Sequence, residues 1–190
     1  MISFGAAVAT AAAEQRTNVE VIFMRSVYRH VFIAALAATF VPAGAYAETP
    51  EEWVKLGTRV HGGFGTFIPV GIRIGLDALR RLEAKPREVT VTYYNGPKAP
   101  CPCIADGVMI ATAASPGQGT LQIASEAAPP DLLGSVIIRS KRTGAALRYT
   151  VSDEWRSKLL DWNRAYDPMG RYDVVMKAEN LFNVTPVQGQ

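Results

Sequence analysis

The sequence is poor in the residues that most often bind transition metals or carry out thiol and imidazole chemistry. Its 190 residues include two cysteines and two histidines. His30 falls in a segment that we interpret below as a leader, so His61 is the one histidine expected in the folded part. A site for a soft or borderline metal ion must therefore combine His61, Cys101 and Cys103 with carboxylates. A serine–histidine–aspartate arrangement is not indicated, because the chain has no GxSxG motif.

A run of apolar residues long enough to cross a membrane is also lacking. The strongest run, residues 31–41, is shorter than the roughly 20 residues that a membrane-spanning helix needs. Arg25 and Arg29 precede it, and the small-residue sequence AYA follows it, just before Glu48. This pattern is typical of a secretory signal peptide. We therefore expect residues 24–47 to be removed on export, leaving a periplasmic protein without a transmembrane segment.

The first 23 residues do not fit that leader. They contain Glu14 and Glu20, and acidic residues are not typical of the positively charged start of a signal peptide. We interpret residues 1–23 as a start-site artefact or an extension, with Met24 as the true start. Residues 48–190 are then expected to form a single domain, long enough to bury a proper core.

Charge of one sign does not dominate the chain. Of the 20 basic and 17 acidic residues, three and two respectively precede residue 48, so the rest is nearly balanced. No basic tract with interleaved aromatic residues is present, and we expect no nucleic-acid partner. The expected partner is a small-molecule or metal ligand, and a homodimer is left open.

The pattern of apolar and turn residues predicts four helices and four strands. Thr49, followed by Pro50 and two acidic residues, is a typical helix start. The predicted helices cover residues 50–59, 68–83, 103–114 and 152–166, with further helix towards the C-terminus, and the predicted strands cover residues 87–95, 119–125, 133–140 and 146–152. This order indicates an α+β fold in which a single mixed sheet is covered by helices.

Two glycine-rich loops carry a resemblance to a known family. The loop HGGFGTF at residues 61–67 precedes the second helix, and ASPGQGTL at residues 114–121 follows the third. The sequence resembles the FmdE domain family, which is named after a component of formylmethanofuran dehydrogenase. The family pattern HGHxCPGxxxGxR is matched at His61, Gly62, Gly71 and Arg73, and the pattern CxxDxxQxxTGCTxGKGNL is matched at Cys103, Asp106, Thr112, Gly117, Gly119 and Leu121. The segment ENLFNV near the C-terminus resembles the closing segment of the family.

The resemblance implies an α+β fold and a metal held by residues of the two motifs. Three positions that hold metal ligands in the family are altered in this sequence. Gly63 replaces a histidine, and Gly65 and Ala114 replace cysteines. Gln118 also replaces a lysine. The metal ligands that the resemblance leaves are His61, Cys103 and Asp106. The wider ligand pocket is expected to include His61, Gly62, Gly63, Gly65, Arg73, Cys101, Cys103, Asp106, Gly117 and Gln118.

Several roles remain open for these residues. Cys101 and Cys103 are interpreted as a disulfide, as two inert thiols, or as contacts in a ligand pocket. A bridge across the single residue Pro102 is disfavoured as strained. His61 is a ligand or a structural residue beside a turn. Asp106 is a ligand, an acceptor for the imidazole N–H or a helix cap, and Arg73 fits a salt bridge better than a ligand contact.

Two functions of different kinds follow from the sequence. The favoured one is a periplasmic binding protein for a metal ion, a metal chelate or tetrapyrrole-like compound, or a small anion, in a pocket widened by the small residues. The alternative is a metal-dependent enzyme or redox accessory protein with one open coordination position. The expected cofactor is a divalent transition metal or a metal-containing ligand. A vestigial pocket in an interaction module is a third interpretation.

Overall fold

The structure, a computed structural model, describes residues 48–188, which form five helices and one five-stranded sheet. The helices are α1 Pro50–His61, α2 Phe67–Arg81, α3 Cys103–Thr112, α4 Trp155–Ala165 and α5 Pro168–Lys177. The strands are β1 Val89–Asn95, β2 Leu121–Ile123, β3 Leu132–Ser140, β4 Ala146–Ser152 and β5 Asn183–Val187. The signal peptide and upstream extension predicted for residues 1–47 lie outside the described residues. Within the described range, no helix combines the length and apolar character that a membrane crossing requires.

Helix α1 begins where the sequence predicts and ends two residues later than predicted. The Thr49 side chain accepts a hydrogen bond from the backbone N–H of Glu52, and the Glu52 carboxylate accepts one from the backbone N–H of Thr49. This reciprocal pair is a capping box, which satisfies amide donors that the first turn leaves without partners. The helix ends because Gly62 adopts a left-handed conformation with φ of 86°. His61 therefore lies on the last helical turn.

The sheet is mixed, as the sequence predicts. Its strand order is β2-β1-β3-β4-β5. Strand β2 pairs with β1 in parallel, and the other neighbouring pairs are antiparallel. The α+β fold class and the approximate element order are confirmed. Strand β5 adds a fifth strand at one edge, where the sequence analysis predicted none.

One face of the sheet forms the core together with helix α2. Alternate residues of β1 are buried, in the pattern expected for a strand with one covered face. Tyr93 lies opposite Val136 of β3, which in turn lies opposite Tyr149 of β4, and all three are almost fully buried. The Tyr149 hydroxyl donates a hydrogen bond to Asp77 of α2. These contacts place α2 across the inner face of the sheet.

Helices α2 and α3 cross with their backbones in direct contact at two glycines. A Cβ atom at Gly71 would collide with the backbone oxygen of Ile104, and one at Gly107 would collide with the backbone oxygen of Ile68. The crossing therefore requires the absence of a side chain at both positions. Since α3 starts at Cys103 and α2 follows the loop after His61, this crossing fixes the positions of both candidate site residues.

Candidate metal centre

The candidate site lies where the end of α1 meets the start of α3. His61 is the last residue of α1, and Cys103 is the first residue of α3. The side chain of His61 is one-third exposed, and so is that of Asp106 in the first turn of α3. Cys103 is 5% exposed, and Cys101, in the segment between β1 and α3, is half-buried. The site is thus open to solvent on its imidazole side and closed on its Cys103 side.

The His61 ring is held between a carboxylate and a sulfur atom. Its Nδ1 atom lies 2.7 Å from Asp106 Oδ2, and its Nε2 atom lies 3.4 Å from Cys103 Sγ. A carboxylate accepts hydrogen bonds, so Nδ1 carries the proton and donates it to Asp106. In the neutral ring this leaves the lone pair of Nε2 directed towards the sulfur atoms. Metal-binding histidines are typically oriented in the same way, by a carboxylate on the nitrogen that does not bind the metal.

The two cysteines are paired with each other in the structure. Cys101 and Cys103 form a disulfide, and their Cα atoms are 5.3 Å apart. This separation lies within the ordinary range for disulfides. The single intervening residue, Pro102, therefore does not prevent the bridge that the sequence argument disfavoured. The bend of the chain into α3 brings the two Cα atoms close enough to be bridged.

His61, Cys101 and Cys103 form a group able to hold a metal ion. One potential ligand atom from each residue lies within 4.8 Å of the others. Two ligands on one tetrahedral zinc ion, a thiolate sulfur and an imidazole nitrogen, are about 3.6 Å apart, as the usual bond lengths require. The observed 3.4 Å between Cys103 Sγ and His61 Nε2 is close to that distance. The donor set fits a soft or borderline ion once the disulfide is reduced to two thiolates.

The resemblance implied that His61, Cys103 and Asp106 are the metal ligands. In the structure, Asp106 and Cys101 take different positions from those that this ligand set requires. Asp106 lies on the far side of the imidazole, bonded to Nδ1. Cys101 instead joins the group of candidate ligand atoms. The sequence showed the proximity of the two cysteines along the chain. It did not show that the turn before α3 points both sulfurs towards α1.

The first glycine loop offers less space than the widened pocket requires. A Cβ atom at Gly63 would meet nothing within 4 Å, so this position is open. At Gly65, however, a Cβ atom would lie 3.2 Å from Asn163 Oδ1 of α4. Ala114, the third small residue, is fully buried. The interpretation that all three residues open one ligand pocket is therefore not supported, because two of them pack against protein.

The second glycine loop lies at the opposite end of α3 from the sulfurs. The carbonyl of Thr112, the last residue of α3, accepts a hydrogen bond from Arg87, just before β1 begins. Cys103 instead follows the segment that leaves the end of β1. Gly117 and Gln118 belong to a short 3₁₀ turn beyond Thr112 and are exposed. A helix of ten residues is about 15 Å long, so the structure does not bring these two residues to His61.

The side chain of Arg73 makes structural contacts. Its guanidinium donates hydrogen bonds to the carbonyls of Val175 and Ala178 at the end of α5, and it lies over the ring of Phe182. Carbonyl groups at a helix C-terminus lack helical partners and attract cations. Burial lowers the pKa of Arg73, and the nearby carboxylate of Asp77 offsets part of this effect. Arg73 therefore attaches α5 to α2, a role different from the expected salt bridge or ligand contact.

Other residues that position the site were not singled out from the sequence. The Asn163 side chain accepts a hydrogen bond from the backbone N–H of Thr66, and Arg171 donates one to the carbonyl of Phe64. Both bonds hold the loop that follows His61. Lys98, shortly before Cys101, pairs with Asp153 at 3.0 Å. These partners are more than 50 residues apart in sequence, so no local pattern could identify them.

The fold and the candidate site together define an α+β domain with an imidazole and two sulfurs at a helix–helix junction. Comparison with known proteins identifies the family of this domain. The sequence profile of the family FmdE, described as "Molybdenum formylmethanofuran dehydrogenase operon", matches residues 60–177, more than half of the chain. The chain belongs to the FmdE family. No curated protein matches the chain significantly. The matched range contains His61, both cysteines and Asp106.

Proposed function

We propose that this chain is an exported binding protein for one soft or borderline transition-metal ion, held by reduced Cys101 and Cys103 together with His61. The observation that carries the proposal is the orientation of the imidazole. Nε2 faces Cys103 Sγ at 3.4 Å while Nδ1 is bonded to Asp106 at 2.7 Å. Such a carboxylate fixes the tautomer and raises the basicity of the nitrogen that binds the metal.

A bare metal ion fits the site better than the larger or anionic ligands considered from the sequence. A tetrapyrrole-like compound needs a broad slot, whereas Gly65 faces Asn163 closely and Ala114 is fully buried. An anion would be repelled by the carboxylate of Asp106 behind His61. Two thiolates and one imidazole suit zinc or copper(I), while magnesium and calcium prefer oxygen ligands.

A metal-dependent enzyme or redox accessory protein is the second candidate. It is favoured by the number of ligands, since three protein ligands leave one position of a tetrahedral ion open, as in catalytic zinc sites. The two functions differ in how they hold the ion. A carrier must release its metal, so transfer to a competing chelator is expected within minutes. A catalytic site is expected to retain its metal under the same conditions.

The proposal is tested by titrating reduced protein with Zn²⁺ in competition with a chromophoric chelator. We expect one ion per chain. Replacing His61 by alanine, or either cysteine by serine, should abolish tight binding, and oxidised protein should bind far more weakly, because a disulfide offers no thiolate. Arg59→Ala, at an exposed position of the same helix end, is the matched control and should bind as the wild type does. Equal binding by the oxidised and reduced forms would contradict the proposal.

Export is a separate part of the proposal. It is supported by the charged, apolar and small-residue pattern of residues 24–47. N-terminal sequencing of protein recovered from the periplasm should begin at Glu48. A chain that still begins at Met1 or Met24 would refute export without affecting the metal site.

A further inference from the structure

A second concave site lies at the C-terminal end of α2. The cavity has a volume of about 390 Å³, and its lining consists of three arginines, one aspartate and two apolar residues, namely Arg73, Leu76, Asp77, Arg80, Arg81 and Phe182. Its volume lies in the range typical of sites for small molecules. Helix α2 has 15 residues and is therefore about 22 Å long, and His61 precedes its other end. The cavity is thus separate from the candidate metal centre.

The cavity carries an excess of positive charge. Four of its residues lie at helical spacing on one face of α2, namely Arg73, Asp77, Arg80 and Arg81. The Asp77 carboxylate accepts hydrogen bonds from Arg80 at Oδ1 and from Arg81 and Tyr149 at Oδ2. Both of its oxygens are therefore directed at donors of the protein. Because three guanidinium groups face one carboxylate, two positive charges in the lining remain without a negative partner.

The guanidinium groups also keep unused donors. A guanidinium carries N–H donors on all three of its nitrogens. Among residues 48–188, the side chains of Arg80 and Arg81 each bond Asp77 through one nitrogen. Arg73 donates to its two backbone carbonyls through Nη1 alone. The remaining donors suit an anion with several oxygens, since arginine binds carboxylate and phosphate oxygens in pairs.

Stabilisation of the helix end does not account for all three arginines. Cations in the last turn of a helix interact favourably with its dipole, and this explains Arg80 and Arg81. Arg73 lies two turns earlier, where the dipole has little effect. Burial lowers the pKa of Arg73, and Asp77 offsets only part of this effect. A bound anion would offset more of the same cost of burial.

We propose that this cavity binds a phosphate group, either as free phosphate or as part of a phosphate monoester. A phosphate dianion matches the two positive charges in excess, and its oxygens accept hydrogen bonds from more than one guanidinium. Leu76 and Phe182 line the same cavity and offer an apolar surface to the organic group of an ester. This ligand is independent of the metal ion proposed for the other end of α2.

The test is isothermal titration calorimetry at low ionic strength, with inorganic phosphate and with phenyl phosphate as probes. The protein is first freed of metal with EDTA and dialysed. We expect one phosphate group per chain. Arg80→Gln and Arg81→Gln should each weaken binding by about tenfold or more, the typical effect of losing a hydrogen bond to a charged group.

Arg164→Gln of α4 is the matched control. Arg164 is 70% exposed and pairs with Asp161 three residues before it, just as Arg80 is 71% exposed and pairs with Asp77. The control should change phosphate affinity by less than about twofold, since an exposed charge away from the cavity is largely screened. Circular dichroism establishes that each variant is folded.

The two probes distinguish the sources of the phosphate group. Tighter binding of phenyl phosphate would assign an ester whose organic group contacts Leu76 and Phe182, and equal binding would assign free phosphate. The absence of saturable binding of both probes would overturn the proposal. Wild-type affinity in Arg80→Gln and Arg81→Gln would also overturn it, by showing an adventitious ion only. Neither failure bears on zinc binding by His61 and the two cysteines.

Discussion

At the scale of single residues, the hydrogen bond between Asp106 and His61 is the feature that most directly couples the fold to the site. Replacing Asp106 by alanine removes the acceptor of the Nδ1 proton, and we expect metal affinity to fall by about 10- to 100-fold. Competition titration with a chelator measures this change. Asp161→Ala, an exposed residue of α4 that pairs only with Arg164 in the described structure, should leave the affinity unchanged. Equal losses in the two variants would contradict the role of Asp106.

A second residue-scale prediction concerns Asp77 of α2, whose carboxylate accepts a hydrogen bond from Tyr149 of the sheet. Burial is the largest single influence on its pKa and raises it. Hydrogen bonds from Arg81, Tyr149 and Arg80 outweigh that effect together and leave the pKa below its usual value. Because the folded-state pKa is lower than the unfolded one, the ionised carboxylate stabilises the fold above about pH 4, and this stabilisation is lost as pH falls through the folded pKa.

Asp77→Asn should therefore lower the free energy of unfolding by about 1–2 kcal/mol at pH 7, since charged hydrogen bonds are lost. The difference between wild type and variant should be smaller at about pH 3 than at pH 7, because protonation of Asp77 removes its charged hydrogen bonds as pH falls. Urea unfolding at the two pH values measures it. A difference that grows as pH falls would show that the sign of the shift is wrong.

At the scale of elements, the close crossing of α2 and α3 leads to a prediction about stability. Gly71→Ala should destabilise the domain by about 3 kcal/mol or more, because the new Cβ atom meets the backbone of α3 rather than a movable side chain. Gly63→Ala, at an open position in the loop before α2, is the matched control and should change stability by less than about 0.5 kcal/mol. Denaturant midpoints measure both. A small effect at Gly71 would mean that the helices are further apart than described.

The elements also show how far the sequence predicts the fold. Helices α1 to α4 and strands β1 to β4 have strong local signals, such as the Thr49 cap and the alternation in β1, and these were confirmed. Strand β5 was missed because it is a short edge strand that contains Pro186, and proline is not typical of strands. Edge pairing with β4 supplies its hydrogen bonds, and no local pattern reports such a partner.

The candidate site was also predictable only in part, because local sequence patterns do not report contacts between distant segments. His61, Cys103 and Asp106 were identified from motifs and lie together in the structure. Arg73 matches one motif and Gln118 lies within the other, but neither lies at the site. Arg73 contacts the end of α5, and Gln118 follows the far end of α3. Spacing along the chain indicates that residues share a motif. It does not indicate which end of a helix they occupy.

At the scale of the whole molecule, the metal centre lies at the edge of the core, and Cys103 is the one candidate ligand that belongs to the buried cluster. The buried cluster is formed mainly by α2, α3 and the inner face of the sheet, whereas His61 is exposed at its edge. Removing metal with a chelator should therefore cost only the energy of binding, about 2.7 kcal/mol at a metal concentration 100 times the dissociation constant. We expect the melting temperature to fall by about 10 °C while unfolding stays cooperative. Loss of the cooperative transition would show that metal holds the fold together.

The central claim is that two thiolates and one imidazole bind a single ion. X-ray absorption spectroscopy of the zinc-loaded, reduced protein measures the ligands directly. We predict two sulfur ligands at about 2.3 Å and one imidazole nitrogen at about 2.0 Å, with a light atom in the fourth position. Cys101→Ser, loaded with zinc in excess to fill its weakened site, should show one sulfur ligand. A first shell of nitrogen and oxygen alone in the reduced wild type would contradict the account.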